Sequence, residues 1–516
     1  MPLATTRDLV LPAIQKHGNR SAVIADGRTW TYRELHEAAL VVADMLIDRG
    51  IKPSDPVAIL LPNSAEYLIA DLAIIAVGAA KVPINLMLSE AEVDFILADS
   101  GAEVLLTTPA HLREATSSQD GSGPEAIVLE ATDDKKVEAA PSDIDHGPSD
   151  RLTTATTADD LSLIMYTGGT TGRPKGVVHL QRGVVANMLA HVIETEITAD
   201  DHLLLSSPLP HSAGVLAMTA LLQGAIVEVM SQFDLATTLE KVESAGVTYL
   251  FLVPTMINRL LDAVAERGEF NSRSLRTILY GASPISEERL RQGLNMFGPV
   301  FMQLYGQTEA PNFLTRLRRH DHDVDRFPQR LRSCGQSALM ASMRIVHEDG
   351  TDCEPNEVGE VIAAAPYVMD RYWNRPEATD ETLREGWLHT GDLGYLDPDG
   401  YLYLVDRKKD MIITGGLNVY ASEVEQALST LEEVRDVAVV GIPHPDWGEA
   451  VTAYVVPANE DATEDDVIAA SRAVLASYKR PKYVHFTDVL PTTAVGKINK
   501  KVLRYEHTMS SDSPRI

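Results

Sequence analysis

LIMYTGGTTGRPKGVVH, residues 163–179, joins a β-prone run at 163–166 to a loop unusually rich in glycine and threonine. Gly168, Gly169 and Gly172 are interleaved there with Thr167, Thr170 and Thr171, and Pro174, Lys175 and Gly176 close the loop. Glycines let backbone N–H groups approach an anion closely, and successive inward-pointing N–H groups form an anion-binding nest. The hydroxyls add donors, and Lys175 adds a mobile positive charge suited to phosphate. The stretch therefore reads as a polyphosphate loop, although by itself it is also compatible with an ordinary Gly/Thr surface loop. It is not a Walker loop: Pro174 stands where that motif needs Gly, and no Ser or Thr follows the lysine.

On both sides of this loop, helical and strand patterns alternate. TYRELHEAALVVADMLIDRG, residues 31–50, opens with Thr31 and Glu34 as a capping box and stops at Gly50. Val57 begins a short apolar run ended by Pro62, a buried parallel strand by pattern, and a further helix stops at Gly78 before a strand at 81–84. Residues 117–160 turn polar and acidic, with one strand at 126–129. Strands are expected again at 203–205, 227–230, 249–253, 278–280 and 301–304, the last two running into the loops Gly281-Ala282-Ser283 and Tyr305-Gly306-Gln307-Thr308-Glu309. Ligands in open parallel sheets bind beyond the carboxyl ends of strands, where such loops gather. Short strands and turns over 332–405 suggest a small β unit. The charge run at 406–410 precedes an independent α+β pattern, so the domains are placed at 1–405 and 406–516.

At 516 residues the chain exceeds one compact core and suggests roughly three units. A net charge of -29 argues against nucleic acid or an anionic membrane as partner, since both need basic faces. No signal peptide and no run of about 20 apolar residues is seen. Two cysteines, Cys334 and Cys353, make neither a disulfide framework nor a thiolate metal site, and a reducing cytoplasm is the simplest setting.

The full string at 166–176 resembles the phosphate loop YTSGTTGxPKG of the adenylate-forming superfamily, which includes AMP-forming acyl-CoA synthetases (carboxylate–CoA ligases), luciferases and adenylation domains of peptide synthetases. Gly168 departs from it, standing where the family usually has Ser and removing one hydroxyl near the outer phosphates. The resemblance implies an α/β fold: a large N-terminal domain of two α/β layered subdomains plus a small β-barrel-like unit, then a small mobile α+β domain hinged at about 406–410. It also implies ATP, Mg²⁺ and coenzyme A. In YGQTE, Tyr305 would stack on adenine beside Gly306 and Gln307, Thr308 would donate to the α-phosphate, and Glu309 would bind Mg²⁺ together with Thr167. Gly281, Ala282 and Ser283 would flank the other adenine face. In GWLHTGD, residues 386–392, Asp392 would accept both ribose hydroxyls, with Arg407 on the same ribose. Lys409 matches the family's pivot between half-reactions. Lys497, in PTTAVGKINKK, matches the catalytic lysine that neutralises charge on the α-phosphate. Gly415 and Gly416, in DMIITGGLNVYASEVE, would leave room for the pantetheine arm.

By matched position, His211 in PLPHSAGVLA gates the acid site, and Ala213, Gly214, Ala217, Val253, Gly281, Gly306 and Phe313 line it. Small apolar residues with no acidic partner for an amino group imply a bulky or extended hydrophobic acid. The leading expectation is an acyl-adenylate converted to a CoA thioester. The alternatives are an adenylating enzyme that serves a separate carrier protein or partner ligase, and a degenerate nucleotide-binding regulator. The assembly is open, with a homodimer among the candidates.

Overall fold

A computed structural model describes residues 5–112, 123–131, 137–138, 155–167, 174–268, 270–407, 410–459, 462–492 and 498–504. Its contacts fall into two compact units. The first takes 1–331, 335–342 and 363–388; the second takes 332–334, 343–362 and 389–516.

The first unit is built on two largely parallel sheets. One has the order Arg371–Tyr372, Lys175–Leu180, Leu161–Thr167, Ala80–Pro83, Pro56–Leu60, Val104–Thr107, Glu125–Val128. Alternate residues of Pro56–Leu60 enter different cores: Val57 and Ile59 pack with the helices Tyr32–Asp48 and Ala65–Val77, whereas Ala58 and Leu60 pack on the opposite face with Ile96 and Leu97. Burial on both faces is why these strands read as continuous apolar runs. The expected capping box is present at Thr31 and Glu34, and Gly78, at φ 80°, ends the second helix in the left-handed conformation.

The second sheet has the parallel order Phe301–Gln307, Thr277–Tyr280, Tyr249–Leu252, His202–Leu205, Ile226–Val229, Ser21–Ala25, flanked by antiparallel strands at both edges. Two features differ from the sequence reading. Ser21–Ala25 pairs on one side with its neighbour Arg28–Thr31 and on the other, in parallel, with the distant Ile226–Val229, and Arg371–Tyr372 pairs with Val177 and Val178 of the first sheet. The two layers are thus interleaved along the chain, because long-range strand pairing leaves no local mark on a short segment.

The second unit carries strands Gly359–Ala364, Trp387–Leu396 and Leu402–Arg407 in one sheet, and an α+β module in another. In that module Val437 and Val439 pack on one side with Val424, Leu428 and Val467, while Ala438 and Val440 pack on the other with Leu490 and Leu503.

Candidate active site

Thr167 and Lys175, on either side of the glycine- and threonine-rich stretch, face each other in an antiparallel ladder. Gly168, Gly169, Thr170 and Thr171 lie outside the described residues, as do Lys409 and Lys497.

Across the first unit, the sequence reading ended a strand at 304, whereas the strand runs on through Gln307 and returns as Ala310–Leu317. Thr308 and Glu309 are therefore the tip of a hairpin rather than part of an open loop. Three groups hold that tip. Buried His179 donates its Nε2–H to the Thr308 carbonyl at 2.9 Å. The Met369 N–H donates to the Glu309 carbonyl at 2.7 Å. The Tyr372 hydroxyl donates to Glu309 Oε1 at 2.6 Å. Burial and the Glu309 charge both push the Tyr372 phenol up, so it stays a donor. Burial pushes His179 down to about 4, leaving it neutral. The Lys175 ammonium lies 5.0 Å from the centre of the Tyr372 ring, a cation–π contact. Tyr372 thereby links Lys175 to the hairpin carboxylate. Sequence reasoning missed both His179 and Tyr372. A lone histidine inside the apolar strand KGVVHL was the available signal for the first; the two-residue strand of the second offered none.

Gly306 has no room for a side chain: a Cβ there would lie 2.7 Å from the backbone of Asn312. A Cβ on Gly281 would meet the Leu304 carbonyl oxygen at 2.6 Å. The adjoining Ala282 adopts φ 69°, a left-handed conformation that a β-carbon disfavours. Tyr305 is buried, and Ser283 is half-buried.

His211 sits in a π-type turn, Leu209–Ala213, at non-helical angles of φ -115° and ψ -147°. Such irregular turns concentrate at functional sites. Asn63 spans the preceding segment, donating from Nδ2 to the Ser207 carbonyl at 2.9 Å and accepting the Leu209 N–H at 2.9 Å. Asn85 Nδ2 lies 3.2 Å from His211 Nε2. Gly214 is required, since a Cβ would collide with the Leu209 carbonyl. Ala213, Ala217 and Phe313 are buried in the core between the two sheets, and half-buried Val253 precedes the helix Pro254–Arg267.

In the second unit, Asp392 and Arg407 are cross-strand partners with Arg407 Nε 3.2 Å from Asp392 Oδ1. Burial, with the Asp392 charge, pushes the Cys334 thiol up to about 12. Gly415 and Gly416, at φ 58° and 79°, form a two-residue hairpin turn, and the Gly415 N–H donates to the Trp447 carbonyl at 2.8 Å.

Residues 12–373 match the AMP-binding enzyme family, and residues 423–497 match the AMP-binding enzyme C-terminal domain. The chain belongs to this family. It is 39% identical to a feruloyl-CoA synthase of an Amycolatopsis species over 94% of this chain and 95% of that one. It is 34% identical to a medium/long-chain-fatty-acid–CoA ligase of Mycobacterium tuberculosis, over 96% and 89% of the two chains. Among solved structures, the amide bond synthetase McbA of Marinactinospora thermotolerans superposes with a TM-score of 0.86 at 30% identity, covering 96% of this chain and 98% of that one. The resemblance read from the motifs is borne out, and so is the fold class. The family member is an ATP-dependent, AMP-forming carboxylate–CoA ligase whose reaction uses ATP, Mg²⁺ and coenzyme A. The donors suit a hard cation: a carboxylate at Glu309, pinned through one oxygen by Tyr372, and a hydroxyl at Thr167. Among the described residues no helix is long and apolar enough to cross a membrane.

Proposed function

We propose that this ligase acts on a hydrophobic acid, and that the residues singled out by their motifs carry the two half-reactions. The observation that carries this reading is the Glu309 carboxylate, oriented by Tyr372 on a hairpin tip whose own carbonyls are fixed by His179 and Met369. A carboxylate held this way does not need to reorganise when a polyanion arrives, which is what electrostatic preorganisation requires.

Thr167, Gly168, Gly169, Thr170, Thr171 and Lys175 would cradle the β- and γ-phosphates. Thr308 would donate to the α-phosphate, and Glu309 with Thr167 would hold magnesium, which supplies charge screening of the polyphosphate. Tyr305, with Gly281, Ala282 and Ser283, would enclose adenine, and Asp392 with Arg407 would hold the ribose. The acid, seated behind His211 among Ala213, Gly214, Ala217, Val253, Gly281, Gly306 and Phe313, attacks the α-phosphorus while Lys497 neutralises the developing charge. Pyrophosphate leaves. A hinge at about 406–410, with Lys409 as pivot, would then bring Gly415 and Gly416 to the thiol's path, and the thiolate would displace AMP. The domains 1–405 and 406–516 are the moving parts in this reading. Cys334 and Cys353, both present as thiols, support a reducing cytoplasm as its setting.

The likeness to an amide bond synthetase favours one second reading. In it, an acceptor other than coenzyme A, such as a carrier-protein thiol or another enzyme's nucleophile, consumes the adenylate.

The test is pyrophosphate release with ATP, Mg²⁺ and a panel of aryl, alicyclic and fatty acids, with and without coenzyme A, and thioester read by mass. Pyrophosphate and thioester together are the expected result; acyl-AMP alone would establish the second reading. Lys497→Ala is expected to lower adenylation at least about 100-fold while largely sparing thioester formation from preformed adenylate. Full adenylation by that variant would remove Lys497 from its role.

A further inference from the structure

Apart from the residues matched to the adenylation motifs, one short stretch of the second unit gathers three different metal-ligating side chains. HEDGTDCEPNE, residues 347–357, holds His347, Cys353 and Glu357. Two cysteines cannot by themselves supply a thiolate cluster, but one thiol beside an imidazole and a carboxylate is a different donor set.

The backbone brings the three together in two steps. The strand Ser342–Val346 turns back on itself at Asp349-Gly350, and Val346 faces Asp352 in an antiparallel bridge. Gly350 has φ 84°, and its N–H donates to the His347 carbonyl at 3.0 Å. The His347 N–H donates to the Thr351 carbonyl and the Cys353 N–H to the Ile345 carbonyl, each at 2.9 Å. With a side-chain period of two, His347 and Cys353 then stand on one face of the hairpin as diagonal neighbours. Cys353 Sγ lies 3.6 Å from His347 Nδ1. The second step is a tight turn at 354–357. There the Glu357 N–H donates to the Glu354 carbonyl at 3.0 Å, and the Glu354 N–H donates to Glu357 Oε2 at 2.9 Å. That turns the carboxylate back to the hairpin, 3.5 Å from His347 Nε2. One imidazole nitrogen, the sulfur and one carboxylate oxygen all lie within 4.8 Å of one another.

Spacing and surroundings both suit an ion. Around a tetrahedral zinc with bonds of about 2.0–2.3 Å, nitrogen, oxygen and sulfur ligands stand about 3.3–3.6 Å apart. Cys353 and His347 already have that separation, and rotation of the exposed Glu357 side chain closes the remainder. Gly359 keeps the place of the sulfur free, since a Cβ there would come within 2.6 Å of Cys353 Sγ. The charges of Glu357, Asp352 and Asp349 bear on the sulfur, and Arg344 Nε, 2.7 Å from Asp352 Oδ1, answers one of them. A divalent cation is drawn to such a place.

We propose that His347, Cys353 and Glu357 bind one zinc ion, through the Cys353 thiolate, one imidazole nitrogen and one carboxylate oxygen, with water in the fourth position. The thiol proton passes to solvent as the zinc–sulfur bond forms. Sulfur and imidazole select zinc over the magnesium of the reaction, which takes hard oxygen donors. The ion ties the hairpin to the turn that follows it. No part of this depends on which acid the ligase activates.

The test strips the full chain with a chelator and titrates it with cobalt(II), which reports thiolate ligation by a sulfur-to-metal absorption band. The band is expected to saturate at one equivalent, to vanish in Cys353→Ser, and to need at least about tenfold more cobalt in His347→Ala or Glu357→Gln. Cobalt in a magnesium site gives no such band, because the donors there are oxygens. In the parent chain, zinc should slow alkylation of Cys353 by iodoacetamide at least about tenfold, read by peptide mass, whereas magnesium should not. That reading needs no variant, so it stands even where a substitution fails to fold. No thiolate band, a band that survives Cys353→Ser, or alkylation at equal rates with and without zinc would each overturn the proposal.

Discussion

Three fully buried histidines of the first unit are kept neutral, whereas the second unit gathers carboxylates and a lysine on one another. His179, His191 and His322 are all pushed down to about 4 by burial, and each donates a ring N–H to a backbone carbonyl. In the second unit, burial pushes Asp406 and Glu425 up, with the Lys500 ammonium opposing it from 2.8 Å off Glu425. Neutral groups fix geometry without a desolvation cost for charge; a partly buried ion cluster carries that cost and depends on every member being present.

The largest expected effect separates the units by pH. An imidazole with its folded value near 4 and an ordinary unfolded value of 6.5 takes up protons only on unfolding across that window. Stability of the first unit therefore falls as pH drops from 6.5 toward 4, by roughly 2 kcal/mol per histidine at pH 5, or about 6 kcal/mol for the three. Asp406 and Glu425 have the opposite sign. Their folded values lie above the unfolded ones, so their stabilising contribution is complete at low pH and is lost as pH rises through the raised values. Hydrogen exchange measured at pH 7 and pH 5 resolves the two. Amides of Phe301–Gln307 should lose protection on acidification, and those of Ala421–Leu428 should hold or gain it. Equal losses in both segments would remove the distinction.

Breaking one member of the ion cluster comes next. Glu425 accepts the Val439 N–H at 2.7 Å besides pairing with Lys500, so Glu425→Ala leaves an orphaned donor and an uncompensated ammonium. Because the pair is half-buried, about 2 kcal/mol of destabilisation is expected in urea unfolding, and Lys500→Met added to it should restore part of the loss. A double variant no more stable than Glu425→Ala would mean that the lost Val439 contact, not the stranded charge, sets the cost.

The same contrast explains what could be read before any coordinates. Elements with strong local signals appear where the sequence places them: the capping box at Thr31 and Glu34, and the apolar strand before Pro62. The family was legible because phosphate-binding chemistry demands particular residue types at fixed spacing. The supporting residues were not. Tyr372 reaches Glu309 across 63 positions, Asn63 reaches Leu209 across 146, and Asn312 reaches His191 across 121. Each is a single polar side chain whose partner is set by strand order, and strand order here includes an N-terminal strand that crosses into the second sheet. The extension of the strand through Gln307 was hidden for a related reason: Gly306 looks like a strand breaker, yet it is tolerated because Asn312 packs against it so closely.

The smallest effects concern left-handed residues, and here the units differ again. The second unit meets its two adjacent positive-φ positions with Gly415 and Gly416, as a tight two-residue hairpin requires. The first unit puts Ala282 at φ 69° on the loop that follows Thr277–Tyr280. Gly415→Ala should therefore cost about 1 kcal/mol, since it adds a β-carbon to a left-handed position. Ala282→Gly should raise stability by only a few tenths of a kcal/mol, because relief of about 1 kcal/mol of backbone strain is offset by the greater freedom of glycine in the unfolded chain. The functional readout is the informative one. If the left-handed Ala282 serves to hold the nucleotide-side loop in one shape, Ala282→Gly will be slightly more stable yet show a raised KM for ATP with kcat for adenylation little changed. A variant that gains stability with ATP affinity intact would show that the strain at 282 is an accident of the turn, and that Gly281, with its 2.6 Å approach to Leu304, sets that loop's shape alone.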